Sequence, residues 1–80
     1  MKKTHVNLNK VTENIAAEML GIAQLKHFKE ESLNNARILK KAGYSRAETI
    51  EYLYGFTFEH GLMPYFALVV RWAKQIWRER

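Results

Sequence analysis

The residues able to do acid–base or nucleophilic chemistry are few in this sequence and widely spaced. There is no cysteine, which excludes thiolate nucleophiles, thiolate metal ligands and disulfides. His5, His27 and His60 are far apart and form no H-E-x-x-H or other metal-ligand spacing. Glu59 and His60 are neighbours, but adjacent side chains rarely aim at one substrate. The sequence therefore predicts a protein that is not an enzyme and has no metal, cofactor or small-molecule substrate.

Basic residues suggest a different kind of chemistry, the binding of anions. The net charge is 13 − 8 = +5, which favours nucleic acid, anionic membrane surfaces or acidic proteins as partners. Arg71, Lys74 and Arg78 have helical spacing and project to one side of a helix, where they can contact phosphates. A solvated face of an amphipathic helix has the same pattern. The candidate nucleic-acid-binding residues are Lys40, Lys41, Arg46, Arg71, Lys74 and Arg78.

Aromatic residues are concentrated in the second half of the chain, where residues 44–80 hold all of them except Phe28. A domain of this size buries only about 60% of the surface that its unfolded chain exposes, so its core is thin. Aromatic residues are also common at interface hot spots. We therefore predict self-association or docking onto a partner. The candidate partner-binding residues are Tyr65, Phe66, Trp72 and Trp77.

The elements that must position these residues are helices, since no stretch alternates as a strand does. The sequence predicts an all-α fold, a compact bundle of three to four helices with a long aromatic-rich C-terminal helix. Residues 1–10 are predicted to be a basic flexible arm and residues 11–80 a single helical domain. The arm has no apolar segment typical of a signal peptide. The longest nearly apolar run, residues 61–70, is shorter than the roughly 20 residues that span a membrane, which predicts a cytoplasmic protein, at most peripheral to a membrane.

The first helical pattern begins near Thr12 and carries an apolar stripe. The stripe consists of Val11, Ile15, Met19, Ile22 and Leu25. Residues 11–42 form either one bent helix or two helices, and the weak apolar pattern of residues 26–35 favours a break near Ser32. Gly43 is the predicted C-cap, preceded by Lys40 and Lys41 in the last turn.

The second half begins with the clearest local signal in the chain. Ser45 and Glu48 form the S-x-x-E pattern of a capping box, which opens a helix predicted to stop at Gly55. Residues 56–64 are predicted to be a connection, with Thr57 as a possible cap of a short turn. Pro64 fits the first position of the last helix. On this helix the apolar residues cover an arc of about 200°, wider than one core contact requires.

The stretch from Lys40 to Phe58 resembles the first helix and turn of a helix-turn-helix DNA reader. Ile50 is bulky where such helices usually meet over a small residue, and Gly61 and Pro64 interrupt the place of a recognition helix. Two functions therefore remain. The first is a small basic regulator that associates with nucleic acid. The alternative is an inhibitor or adaptor, of the kind found among phage and plasmid accessory proteins, that docks its aromatic C-terminal half on a larger protein. A third possibility, that the last helix lies on a membrane surface, shares its pattern with ordinary core packing.

Overall fold

The computed structural model of the protein describes residues 12–79 and shows four α-helices packed as a bundle. The helices are α1 (Glu13–Leu20), α2 (Ile22–Lys41), α3 (Arg46–Glu59) and α4 (Phe66–Arg78), and a 3-10 turn (Met63–Tyr65) leads into α4. No strand occurs within the described range. The predicted all-α bundle is thus confirmed. The predicted arm, residues 1–10, lies outside the described residues.

Three of the helix ends predicted from local sequence signals are confirmed, the end of α2 to within one residue. The Thr12 hydroxyl caps α1 by accepting a hydrogen bond from the Ile15 N–H at 3.2 Å. Both bonds of the capping box at Ser45 and Glu48 are formed, at 3.1 Å and 2.8 Å. Caps of this kind each stabilise a helix by about 1 kcal/mol. The C-cap of α2 is Ala42, one residue before the predicted Gly43. Gly43 follows with a φ of +98°, and its N–H donates to the Lys40 carbonyl at 3.1 Å.

The predicted break near Ser32 is wrong. Residues 13–41 do form two helices, but they separate at Gly21, whose φ of 97° and ψ of 142° are essentially restricted to glycine. α2 runs unbroken through Ser32, whose small side chain is buried. The large apolar residues are sparse here because Ser32 and Ala36 occupy core positions where helices approach closely.

Among the described residues of the first apolar stripe, Leu25 is the one that faces the core. Ile15, Met19 and Ile22 are 42%, 66% and 77% exposed. Instead Ala16 is fully buried, and Ala17 and Leu20 pack beside it. The kink at Gly21 prevents α1 and α2 from sharing one face, so the small residues of α1 approach the bundle and the larger ones point outward.

The predicted stop of α3 at Gly55 is also wrong. Gly55 keeps a helical conformation, and α3 continues for four more residues. It ends at Glu59, two residues before Gly61, whose φ of +69° lets the chain turn and whose N–H bonds to the Phe58 carbonyl at 3.0 Å. Thr57 is therefore a buried helical residue and not a cap. Pro64 lies in the 3-10 turn, and α4 begins two residues later than predicted.

The core lies where α2, α3 and α4 meet. Phe28 is its centre: its ring stacks on Phe56 with centroids 6.1 Å apart and meets Trp72 edge-on at 5.8 Å. The buried apolar residues are Ala16, Leu25, Phe28, Ala36, Leu53, Tyr65, Leu68, Val69, Trp72, Ala73 and Ile76.

Candidate interaction surfaces

The helix-turn-helix interpretation requires a turn at Gly55, and the described chain has none at that position. Instead, α3 continues through Gly55 without interruption. The four-residue turn between α2 and α3, Ala42–Ser45, does have a suitable length. The helix that follows it, however, carries Glu48, Glu51 and Glu59 against a single Arg46. Phosphates would repel such a helix.

The candidate basic residues fall into two groups with different surroundings. Lys40 is engaged within the chain: its Nζ donates to the carbonyls of Ile76 and Glu79 at 2.8 Å and 2.9 Å and lies 5.7 Å from the Trp77 ring centroid. A cation at these last carbonyls stabilises the C-terminus of α4. Lys41 and Arg46 are exposed at the end of α2 and the start of α3.

The second group is the basic strip, which consists of Arg71, Lys74 and Arg78 on the exposed side of α4. All three residues line a groove of about 420 Å³, together with Thr12 and Glu13 of α1. Residues 1–11, which carry three lysines, join the described chain at this groove. The prediction that these three side chains project to one side of the helix is confirmed.

Glu13 ties three helices together beside this groove. Its carboxylate accepts a hydrogen bond from the Trp72 indole N–H at 3.0 Å and forms an ion pair with Lys29 at 3.2 Å. The pKa of Glu13 lies below its ordinary value, chiefly because of the Trp72 hydrogen bond and also because of the charges of Lys29 and Arg71. Partial burial opposes this shift.

The lowered pKa of Glu13 makes the stability of the bundle depend on pH. A carboxylate whose pKa is lower when folded stabilises the protein above its unfolded pKa, and this stabilisation is lost as the pH falls through the folded value. We therefore expect Glu13→Gln to be less stable than the parent near neutral pH, with the gap closing as the pH falls from the ordinary carboxyl pKa of 4.5 through the lower pKa of folded Glu13. Urea unfolding at each pH measures this. Glu18→Gln, on the exposed side of α1, should show no such closing gap, and a constant gap for Glu13→Gln would contradict the role.

The positive charge of the chain lies mostly outside its described part. Residues 12–79 hold nine lysines and arginines and eight glutamates, so their net charge is 9 − 8 = +1. The remaining four basic residues, 13 − 9, are Lys2, Lys3, Lys10 and Arg80. The described bundle is thus nearly neutral. Its surface nevertheless has separate basic and acidic regions, and these can attract charged partners.

The four candidate partner-binding aromatics are distributed between core and surface. Tyr65 and Trp72 are 7% and 2% exposed, because the middle of the α4 apolar arc faces the core. In this conformation neither can contact a partner. Phe66 and Trp77 are half-buried at one edge of the same arc.

The most exposed aromatic residues were missed by the sequence reasoning and lie mainly on α3. Tyr52, Tyr54 and Phe58 are 53%, 52% and 66% exposed, and Tyr44 in the preceding turn is 50% exposed. The i, i+4 spacing of Tyr54 and Phe58 would have placed them on one face. Because the predicted helix ended at Gly55, Tyr54 and Phe58 were not assigned to the same helix.

An apolar surface, here called the seam, runs along the contact between α3 and α4. It consists of Tyr54 and Phe58 from α3 and of Phe66 and Val70 from α4. The rings of Tyr54 and Phe66 meet edge-on with centroids 5.4 Å apart. Phe58 is the most exposed residue of the seam, and Phe66 and Val70 are half-buried.

An acidic surface, here called the ledge, lies on exposed positions of α3. It consists of Glu48, Glu51 and Glu59, interleaved with Tyr52. Two shallow grooves of about 430 Å³ and 340 Å³ meet there and share Glu51 and Tyr52. Glu48 serves the capping box, whereas Glu51 and Glu59 have no ion pair within residues 12–79.

Residues 12–79 contain neither a metal-binding cluster nor a helix that could span a membrane. No group of three or more histidine and glutamate side chains lies close enough to hold a metal ion in that part of the chain. None of the helices in residues 12–79 is long and apolar enough to cross a bilayer.

Comparison with known proteins gives no match. No family model, no curated protein and no solved structure is detectably similar to this chain. Its function therefore has to follow from the chemistry of its own surface.

Proposed function

We propose that this protein is a non-enzymatic binding protein, of the adaptor or inhibitor kind, and that its α3–α4 seam is the surface on which a protein molecule docks. The observation that carries the proposal is the arrangement of the seam: apolar side chains in the middle, the basic strip of α4 on one side and the acidic ledge of α3 on the other. An apolar centre with a charged rim is the usual anatomy of a protein interface.

The energetic argument rests on Phe58. Its side chain is 66% exposed, and burying a phenylalanine stabilises a complex by about 1.5–3 kcal/mol. The bundle gains little from this ring, because α3 buries Leu53 and its neighbours on the opposite face. Phe58 and Tyr54 are therefore available as anchors, and aromatic anchors dominate the binding energy of many interfaces.

A photo-crosslinking amino acid placed at position 58 in the producing cells tests the docking function. We expect a covalent product with a protein partner, which mass spectrometry identifies. Asn34, exposed on α2, is the control position and should give no product. If position 58 captures nothing beyond what position 34 captures, no protein covers the seam and the proposal fails.

Association with nucleic acid is a second candidate, supported by the exposed basic strip and by the three further lysines in the sequence of residues 1–11. Each phosphate contact adds about 0.9 to the slope of log affinity against log salt concentration. Titration of random duplex DNA, followed by tryptophan fluorescence and anisotropy, should give binding that weakens steeply with salt. Lys74→Glu should then lower the slope by about 1. Lys26→Glu makes the same charge change on α2 and should leave the slope unaltered. Absence of binding at low salt would remove this candidate.

A further inference from the structure

The charges beside the seam are ordered in a way that makes this surface complementary to itself. On α4, Phe66, Val70 and Lys74 follow one another at i, i+4 and i+8, so the apolar row ends in a basic residue. On α3, Glu51 lies one turn before Tyr54 and lines the grooves of the ledge, one of which reaches Leu39 of α2. Crossing the surface from α4 to α3 therefore leads from positive charge, over apolar side chains, to negative charge.

We propose that a second copy of this chain covers the seam and forms a two-fold symmetric dimer. The proposal rests on the docking function proposed above and names the partner. The two-fold axis runs along the seam in the plane of the interface, so each copy lays its α4 edge over the α3 edge of the other. The basic strip of each copy then faces the acidic ledge of its partner, and the apolar residues of both seams meet between them.

Charge complementarity selects both the occupant and its orientation. Neither Glu51 nor Lys74 has an ion pair within residues 12–79, so each is available to a partner. In the proposed dimer, Glu51 of each copy faces Lys74 of the other. A two-fold axis running across the seam would instead place strip against strip and ledge against ledge, which like-charge repulsion disfavours.

Sedimentation equilibrium of the full chain and of two charge-reversal variants tests the dimer. The parent chain should form a dimer in a concentration-dependent manner. Glu51→Lys alone and Lys74→Glu alone should each weaken dimerisation by about tenfold or more, because each places two pairs of like charges in the interface. An equimolar mixture of the two variants should regain the parent's dimerisation, since both contacts of the mixed dimer then join opposite charges.

The mixture separates a charge contact from simple misfolding, because two misfolded chains would not restore each other. Glu30→Lys on the exposed side of α2 is the matched control and should dimerise like the parent. A parent chain that stays monomeric at every concentration, a mixture that stays monomeric, or a parent that grows beyond a dimer would each overturn the proposal. If position 58 crosslinks to a different protein and the parent chain is monomeric, the dimer is overturned but the docking function stands. Absence of any crosslink would overturn the docking function as well.

Discussion

Replacing Trp72 with alanine should destabilise the bundle by about 3–5 kcal/mol, the range observed for truncating a buried large aromatic residue. Trp72 is 2% exposed, packs edge-on against Phe28 and donates its indole N–H to Glu13. The substitution therefore opens a cavity between α2 and α4 and also releases α1. An 80-residue chain typically has a free energy of unfolding of about 4–12 kcal/mol. The substitution should consequently remove a large part of that free energy and lower the urea concentration at which the protein unfolds, as urea titration followed by far-ultraviolet circular dichroism would show.

Trp77→Ala is the matched control, since it removes the same side chain from the same helix. Trp77 is only half-buried, and its ring contacts Lys40. We expect a loss of about 1–2 kcal/mol, most of it from lost apolar burial. Equal losses for the two tryptophans would mean that the core is not centred where α2 and α4 meet.

The second large effect has the opposite sign. Thr49→Val and Thr57→Val should each stabilise the protein by about 1 kcal/mol, and the double variant by about twice that. Both hydroxyls are buried in α3 without a hydrogen-bond partner, and burying an unpaired hydroxyl costs about 1–3 kcal/mol. Valine keeps the branched shape and replaces the hydroxyl with a methyl group. The midpoint of urea unfolding is the measurement.

The same chemical change at Thr12 supplies the control. The Thr12 hydroxyl caps α1, so Thr12→Val should destabilise the protein by about 1 kcal/mol. If Thr49→Val and Thr57→Val also destabilise the protein, the hydroxyls of Thr49 and Thr57 have hydrogen-bond partners in solution. Burying these hydroxyls then does not lower the stability of the fold.

The sequence by itself determined the helical class and those helix ends whose signals are local. The cap at Thr12, the capping box at Ser45 and the end of α2 near Gly43 depend on residues within one turn of each other. Such bonds form in the same way wherever the helix later packs. The one-sided projection of Arg71, Lys74 and Arg78 follows equally from helical spacing alone.

The tertiary structure decided which glycines interrupt helices. Gly55 remains helical, whereas Gly21 and Gly61 adopt positive φ. Glycine permits both conformations at similar cost, so the choice depends on what the neighbouring residues gain. Leu53 and Thr57 are both buried, and they lie on one face only if α3 continues through Gly55.

The tertiary structure also decided which apolar residues face the core, and with them the candidate site. Ile15 and Met19 form the stronger apolar pattern of α1, yet Ala16 is the residue that packs inward while Glu13 bonds to Trp72 and Lys29. On α4, packing against the other helices likewise buried Trp72 and left Phe66 at the edge of the buried face. Helical periodicity shows which residues share a face, but only packing against the other helices determines which face is buried. The seam is the surface that this packing leaves uncovered.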